Sequence, residues 1–325
     1  MRNVIDNILR KIIDKSEEVN ILYFPYDGVF EQSLKSEKYK YYTMYQHQIH
    51  EFPAKSYPKN FYVLEDSVLS YITKLDLVIV NNRKDQLNSA RNFANSYHIP
   101  LLLIDHELPA PESSSKLRSF VSRQFNDEDS VIAFDKLLSE EWTIKINTPS
   151  RYSAQIYENP HKTRNTNICL VGSYSTYDYG LLREVISNHS DIETLGINPG
   201  ITKPYNTFDE MLSLMADSEM SVHIIQEHRP PLMMLYGMSL GCIPIINETR
   251  WTKYWITEDL GFLFRGISDI KKYRDILNSD KNKMTKMSHA CIEFSKQFDH
   301  QNFQFAFSSF VDKVNNKIYN RESIL

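Results

Sequence analysis

The sequence predicts an α/β chain of two domains, each built on a parallel sheet. Three observations predict it. Apolar runs of strand length alternate with stretches of helical periodicity. The alternation breaks once, over residues 147–166, where Pro149 and Pro160 flank a polar segment that runs into His161, Lys162 and Arg164. The length, 325 residues, suits two domains of ordinary size. The boundary is expected at residue 160, giving domains 1–160 and 161–325.

Residues 1–16 carry Val4, Ile5, Ile8, Leu9, Ile12 and Ile13 at helical spacing, with mixed charges opposite, which predicts a helix packed on a core. Asn20–Phe24 then reads as a buried strand, followed by the turn Pro25-Tyr26-Asp27-Gly28. Leu75–Val80 reads as the next strand, ending in Asn81, Asn82 and Arg83, with a helix over 84–97. Leu101–Ile104 and Ser130–Phe134 are further strands, the first ending in Asp105-His106-Glu107.

Beyond the break, Asn167–Val171 opens a second series and turns at Gly172-Ser173. A helix around Leu181–Ile186, a strand at Ile192–Gly196, a helix over 207–217 and a strand at Met220–Ile225 follow. A helix over 231–240, a strand at Cys242–Ile246 and mostly helical residues over 268–320 complete it.

Composition excludes several functions. Hydrophobic residues make up 42% and charged residues 24%, which is globular and not disordered. Net charge is −4, with 37 basic against 41 acidic residues and no basic stripe, which argues against non-specific nucleic-acid binding. Met1–Asp6 carries charge where a signal peptide needs an apolar core, and no apolar run nears the roughly 20 residues of a membrane span. Cys169, Cys242 and Cys291 sit in or beside apolar runs without zinc spacing, as buried reduced thiols would. The cytoplasm is the expected compartment.

Familiar catalytic signatures are missing: there is no phosphate-loop lysine motif, no G-x-G-x-x-G and no G-x-S-x-G. His47 and His50 have helical i, i+3 spacing but no third metal ligand is identifiable in sequence. Asp127-Glu128-Asp129 has an Asp-x-Asp pattern but precedes an apolar strand, and reads as a solvated loop. No metal and no cofactor are expected.

The most informative segment runs from Gln226 to Ile245: a strand end, a polar loop with Glu227 and Arg229, prolines 230 and 231, a helix, then Gly241 and another strand. A helix N-terminus with unpaired N–H groups suits a diphosphate, and Arg229 adds a permanently charged donor fork. This segment resembles the donor-site pattern "Glu-x-x-Pro … Leu-Glu-Ala-Met-Ala-x-Gly-x-Pro-Val" of GT-B glycosyltransferases of the glycosyltransferase 4-like, group 1 type. Glu227 and Pro230 match its first half; Leu235, Met238, Gly241 and Pro244 match the second, with one residue inserted between the halves. Val171-Gly172-Ser173-Tyr174, Leu195-Gly196 and Thr257–Phe264 match further turns of the pattern in the right order. The family's second Glu falls on Tyr236, a phenol that can still donate or accept a hydrogen bond.

The resemblance implies a GT-B fold, two Rossmann-like domains facing across a cleft, with the last helix returning to the N-terminal domain. It implies transfer of a sugar from a nucleotide-sugar co-substrate to a hydroxyl acceptor. Glu227, a catalytic residue in this reading, would lie near the donor sugar and phosphates, and Gly172, Ser173, Tyr174, Arg229, Pro230 and Tyr236 would bind the donor. His106 would be the catalytic base, since histidine ordinarily titrates near neutral pH. Asp27, Gly28, Asn81 and Arg83 would line the acceptor side. The alternatives are a non-catalytic GT-B-like ligand- or partner-binding protein and a nucleotide-sugar epimerase.

Overall fold

Two runs of parallel strands organise the chain. The structure, a computed structural model, describes residues 18–25, 30–44, 58–64, 74–81, 84–106, 118–119, 121, 123, 125, 129–133, 140, 157–159, 163–171, 179–196, 203–204, 208–225 and 231–322. Its contacts separate two units: residues 1–152 with 301–325, and residues 153–300.

In the first unit, β1 (Val19–Phe24), β2 (Tyr39–Met44), β3 (Phe61–Leu64), β4 (Leu77–Asn81), β5 (Leu101–Asp105) and β6 (Ser130–Ala133) form one sheet in the order β3-β2-β1-β4-β5-β6. Every neighbouring pair is parallel. β1, β4 and β5 are buried along their whole length, as a parallel sheet covered on both faces requires. The order is that of a doubly wound sheet, whose direction of build reverses between β1 and β4.

Helix α1 (Lys84–Tyr97) follows β4 and buries Gln86, Leu87, Ala90 and Ala94, one face at helical spacing. It ends with His98 at φ 53°, which lets the Ile99 N–H reach back to the Ala94 carbonyl. One strand in from the edge of the sheet, β2 was not expected. Its Tyr39 and Tyr41 bury their rings almost completely although the run reads as half polar.

The second unit repeats the plan. Strands β7 (Thr166–Val171), β8 (Glu193–Gly196), β9 (Lys203–Pro204), β10 (Ser218–His223), β11 (Ile243–Asn247) and β12 (Phe262–Phe264) form a parallel sheet in the order β12-β11-β10-β7-β8-β9. Renumbered from β7, this is the same doubly wound order, with its reversal between β7 and β10. Around it lie α2 (Tyr179–Asn188), α3 (Phe208–Asp217), α4 (Leu232–Ser239), α5 (Arg250–Trp255), α6 (Ile267–Ser279) and α7 (Lys281–Ser295). The core joins Ile168, Leu170, Met220, Val222, Ile243 and Ile245 of the central strands to Leu182 and Val185 of α2 and Leu277 of α6.

Helix α8 (His300–Glu322) belongs from Gln301 onward to the first unit. Its Phe303, Phe307 and Val311 are buried there, Phe303 meets Phe30 edge-on, and Tyr39 donates from its hydroxyl to the Ser308 carbonyl and to Asp312.

Several readings shift. The second unit starts at Ser153, ahead of the expected start at residue 161. The reason is local: Tyr157 N–H donates to Ser239, and Asn159 donates to the Ala216 and Leu240 carbonyls, so both residues pack with α3 and α4. The helical stretch expected over 268–320 is three helices, interrupted at Asp280 and again over 296–299. β3, β9, β12 and α5, all short, were not expected as elements. Residues 1–16, His47 and His50 lie outside the described residues.

Candidate functional site

In each sheet the switch point lies at the carboxyl ends of two neighbouring strands that feed opposite halves of the fold. Ligands of open parallel sheets bind at such points. In the first unit these are β1 and β4, and in the second β7 and β10. Asp27, Gly28 and Arg83 follow β1 and β4 in sequence, and Gly172, Ser173, Tyr174, Glu227, Arg229 and Pro230 follow β7 and β10. All nine lie outside the described residues. Asn81, His106 and Tyr236 are described, and so are the groups around them.

Asn81 closes β4, and His106 follows directly on β5, the neighbouring strand. Both are fully buried, and His106 Nε2 lies 2.6 Å from Asn81 Oδ1. The Asn81 amide nitrogen donates to the Phe24 carbonyl at 2.5 Å and to the Tyr23 hydroxyl at 3.2 Å. Tyr23 in turn donates to Glu31 Oε1 at 2.9 Å. The Phe30 ring stands edge-on over the imidazole, with centroids 4.6 Å apart.

This burial corrects one premise of the sequence reading. His106 does not keep the near-neutral pKa expected of it: desolvation drives its pKa well down, because an imidazolium is costly where water is excluded. Asn81, expected on the acceptor side of a cleft, spends its amide on internal partners. Tyr23 is held neutral, its phenol pushed far up by burial and then by the charge of Glu31.

Asp105, the residue before His106, is buried and takes Arg118 at 2.7 Å from Nη2 and 3.1 Å from Nε, both on Oδ2. The pair ties the end of β5 to a helical residue thirteen positions on. Asp129, read as part of a solvated loop, is not solvated. Its side chain is 1% exposed, accepts from the Leu101 N–H at 2.9 Å and from Arg91 at 2.6 Å, and so anchors the starts of β5 and β6. Asp127 and Glu128 lie outside the described residues. No group of three His, Cys, Asp or Glu side chains converges in metal-binding fashion among the described residues.

In the second unit, β10 ends at His223, whose Nε2 lies 2.8 Å from Ser221 Oγ. Burial pushes this histidine down to about 3. Two residues on, Ile225 is gripped by a side chain: Asn247, the last residue of β11, accepts from its N–H at 2.8 Å and donates to its carbonyl at 2.9 Å. The amide thereby extends the β10–β11 pairing to the threshold of residues 226–230. Sequence spacing gave no sign of this clamp.

Helix α4 starts after that segment with Pro231 at the N-cap, which makes no side-chain cap. Proline has no oxygen in its side chain, so the N–H groups of the first turn are left for another acceptor. The helix is buried from Met234 to Ser239, which matches its apolar sequence all round. Tyr236 is 1% exposed and meets the Tyr157 ring edge-on at 5.8 Å, so it stands in the interior and not on the surface of the unit.

Other residues of the matched pattern have packing reasons. Gly241 ends α4 at φ 81°, and a Cβ there would fall 2.5 Å from Arg164 Nη2. Arg164 fans onto the carbonyls of Ser218, Leu240 and Gly241, closing the C-terminal ends of α3 and α4. A Cβ on Gly261 would fall 2.6 Å from the Pro244 carbonyl oxygen, so β11 and the turn before β12 approach closely there. All three cysteines are buried and free, as expected.

No family model matches the chain, and no curated protein matches it in sequence. Solved structures do resemble it. Anabaena HepE, in complex with UDP and glucose, superposes with a TM-score of 0.69 at 12% identity, covering 91% of this chain and 100% of its own. Sucrose-phosphate synthase from Thermosynechococcus elongatus gives 0.63 at 10% identity, over 91% and 99%. The pneumococcal O-GlcNAc transferase GtfA, in complex with UDP and GlcNAc, gives 0.58 at 12% identity, over 74% and 57%. The fold is the GT-B α/β fold that the sequence predicted.

Proposed function

We propose that this chain is a glycosyltransferase that moves a sugar from a uridine-type nucleotide sugar to a hydroxyl acceptor. The observation that carries the reading is the likeness in fold, along nearly the whole chain, to HepE in complex with UDP and glucose. Two local features support it. The second sheet has its switch point between β7 and β10, and the uncapped N-terminus of α4 follows β10. Unpaired N–H groups and the helix dipole favour a diphosphate in such a place.

In this reading Gly172, Ser173, Tyr174 and Pro230 shape the diphosphate site, Arg229 adds charge to it, and Glu227 holds the sugar. Tyr236 acts through the packing of α4. The acceptor hydroxyl oxygen bonds to the anomeric carbon as the bond from that carbon to the diphosphate oxygen breaks. The hydroxyl proton passes to His106, and Asp27, Gly28, Asn81 and Arg83 belong to the acceptor side. Stabilising the negative charge that gathers on the leaving diphosphate is the main task, met here by main-chain N–H groups and Arg229 without a metal or other cofactor. The proposed compartment is the cytoplasm, in keeping with three free buried thiols and with the lack, among the described residues, of a helix long and apolar enough to cross a membrane.

The test is a thermal-shift panel of UDP, UDP-glucose, UDP-N-acetylglucosamine and their guanosine and adenosine counterparts. A ligand at 100 times its dissociation constant stabilises by about 2.7 kcal/mol. A shift with the uridine compounds, followed by UDP release that rises with added hydroxyl acceptors, is the expected result. No shift with any of them at millimolar concentration would overturn the reading. The full burial of His106 favours a second reading, binding without transfer, for which the panel shifts but no UDP is released.

A further inference from the structure

Four buried side chains at the carboxyl edge of the first sheet form a hydrogen-bonded chain with one direction. Tyr23, Glu31, Asn81 and His106 are each 1% exposed or less. The Tyr23 hydroxyl donates to Glu31 Oε1. The Tyr23 oxygen then turns a lone pair to the Asn81 amide nitrogen, which also donates to the Phe24 carbonyl. Phe24 fixes the amide independently, because a main-chain carbonyl cannot donate and a flipped amide would set oxygen against oxygen at 2.5 Å. Both anchors leave Asn81 Oδ1, a pure acceptor, facing His106 Nε2 at 2.6 Å. Nε2 must therefore carry hydrogen.

We propose that Asn81 is a positioning residue that, oriented by the Phe24 carbonyl and the Tyr23–Glu31 pair, holds His106 in the tautomer with hydrogen on Nε2 and the lone pair on Nδ1. Burial keeps the ring neutral, so the tautomer is the chemically relevant state. The consequence for catalysis rests on the reading of His106 as the base: any proton it takes from a hydroxyl must arrive at Nδ1, and the hydrogen bond from Nε2 to Asn81 stabilises the resulting positive charge. Hydrogen bonds aligned head to tail in a low-dielectric interior polarise one another. Glu31 thus acts on His106 through two intervening side chains.

The experiment is long-range proton–nitrogen correlation on the full chain with ring-labelled histidine at neutral pH. The chain has 10 histidines, and the resonance lost in His106→Gln identifies the ring. The expected spectrum has a protonated Nε2 and an unprotonated Nδ1. Hydrogen on Nδ1, or a doubly protonated ring, would overturn the proposal. Asn81→Leu removes the lock and should populate the other tautomer, while Tyr23→Phe leaves the Phe24 anchor of the amide in place and should retain hydrogen on Nε2. An unchanged tautomer in folded Asn81→Leu would show that Asn81 does not position the ring. Where turnover is measurable, Asn81→Leu should lower kcat about 10²-fold, the low end of general acid–base help, with KM for the nucleotide sugar nearly unchanged. If Asn81→Leu fails to fold, the wild-type and Tyr23→Phe spectra still decide. The nitrogen signals need no turnover, so failure of glycosyl transfer leaves them standing. A wrong tautomer leaves nucleotide-sugar binding untouched.

Discussion

His106 and Asn81 meet across neighbouring strands at 2.6 Å, in a place that solvent does not reach. The contact joins two candidate site residues that lie 25 positions apart, and it makes each answerable to the other. Replacing His106 with alanine should leave UDP affinity nearly intact and lower turnover about 10²- to 10⁴-fold. Calorimetry and a UDP-release assay on the same preparation check both halves, and turnover within a few-fold of wild type would remove His106 from the chemistry.

Acid should destabilise the protein through two buried histidines. His106 and His223 both have folded-state pKa values below the ordinary value of about 6.5, His223 down to about 3. Between those values the unfolded chain binds more protons than the folded one, so stability falls as pH falls. The contribution is complete above about pH 6.5 and declines below it, at up to about 1.4 kcal/mol per pH unit for each ring. Denaturant titrations at pH 7, 6 and 5 should show the slope, and His223→Gln should lose its share. Equal slopes in the variant and the wild type would count against a neutral, buried His223.

The strands β1, β4 and β5 and helix α1 were legible because they are continuous apolar runs or one-faced helices, whose burial follows from composition. β2 was not, because Tyr39, Tyr41 and Tyr42 score as half polar while their rings pack inside. His106 and Asn81 could be found as polar residues ending apolar strands. Their partners Tyr23 and Glu31 could not, since nothing in the spacing of positions 23, 31, 81 and 106 reveals that packing brings them together. The lowered pKa of His106 was hidden for the same reason: it is a property of its surroundings, not of the residue.

Asn247 should matter to ligand binding without touching ligand. Its amide pairs with both main-chain groups of Ile225, just ahead of Glu227 and Arg229. Asn247→Ala leaves those groups unpaired and should cost about 1–3 kcal/mol in stability. UDP affinity should fall as well, measured by calorimetry below the melting transition. Unchanged affinity would confine Asn247 to a structural role.

Arg229 should bear directly on the diphosphate, from its place in sequence between β10 and α4. Arg229→Ala is expected to weaken UDP binding by about 1.5–3 kcal/mol, the range for hydrogen bonds to charged groups. Calorimetry that finds the same affinity in both proteins would take it out of the site.

Gly241 should resist substitution. Alanine there must adopt φ near 81°, at a cost of about 1–2 kcal/mol, and must also displace Arg164 from the carbonyls it caps. Gly241→Ala should therefore lower the melting temperature more than Gly266→Ala, where a Cβ meets nothing within 4 Å. Equal losses in the two would mean that the close approach of Arg164 carries no weight.

Helix α8 has a consequence for how the protein comes off the ribosome. Residues 153–300 form a continuous unit and can complete their core as soon as they emerge. The first unit, though begun earlier, cannot, because Phe303, Phe307 and Val311 come after all of the second. Until then Phe30 lacks Phe303, and Tyr39 lacks both acceptors for its hydroxyl. Synthesis order and folding order are thus reversed: the unit begun first is finished last. During translation it presents an apolar surface that a chaperone would recognise.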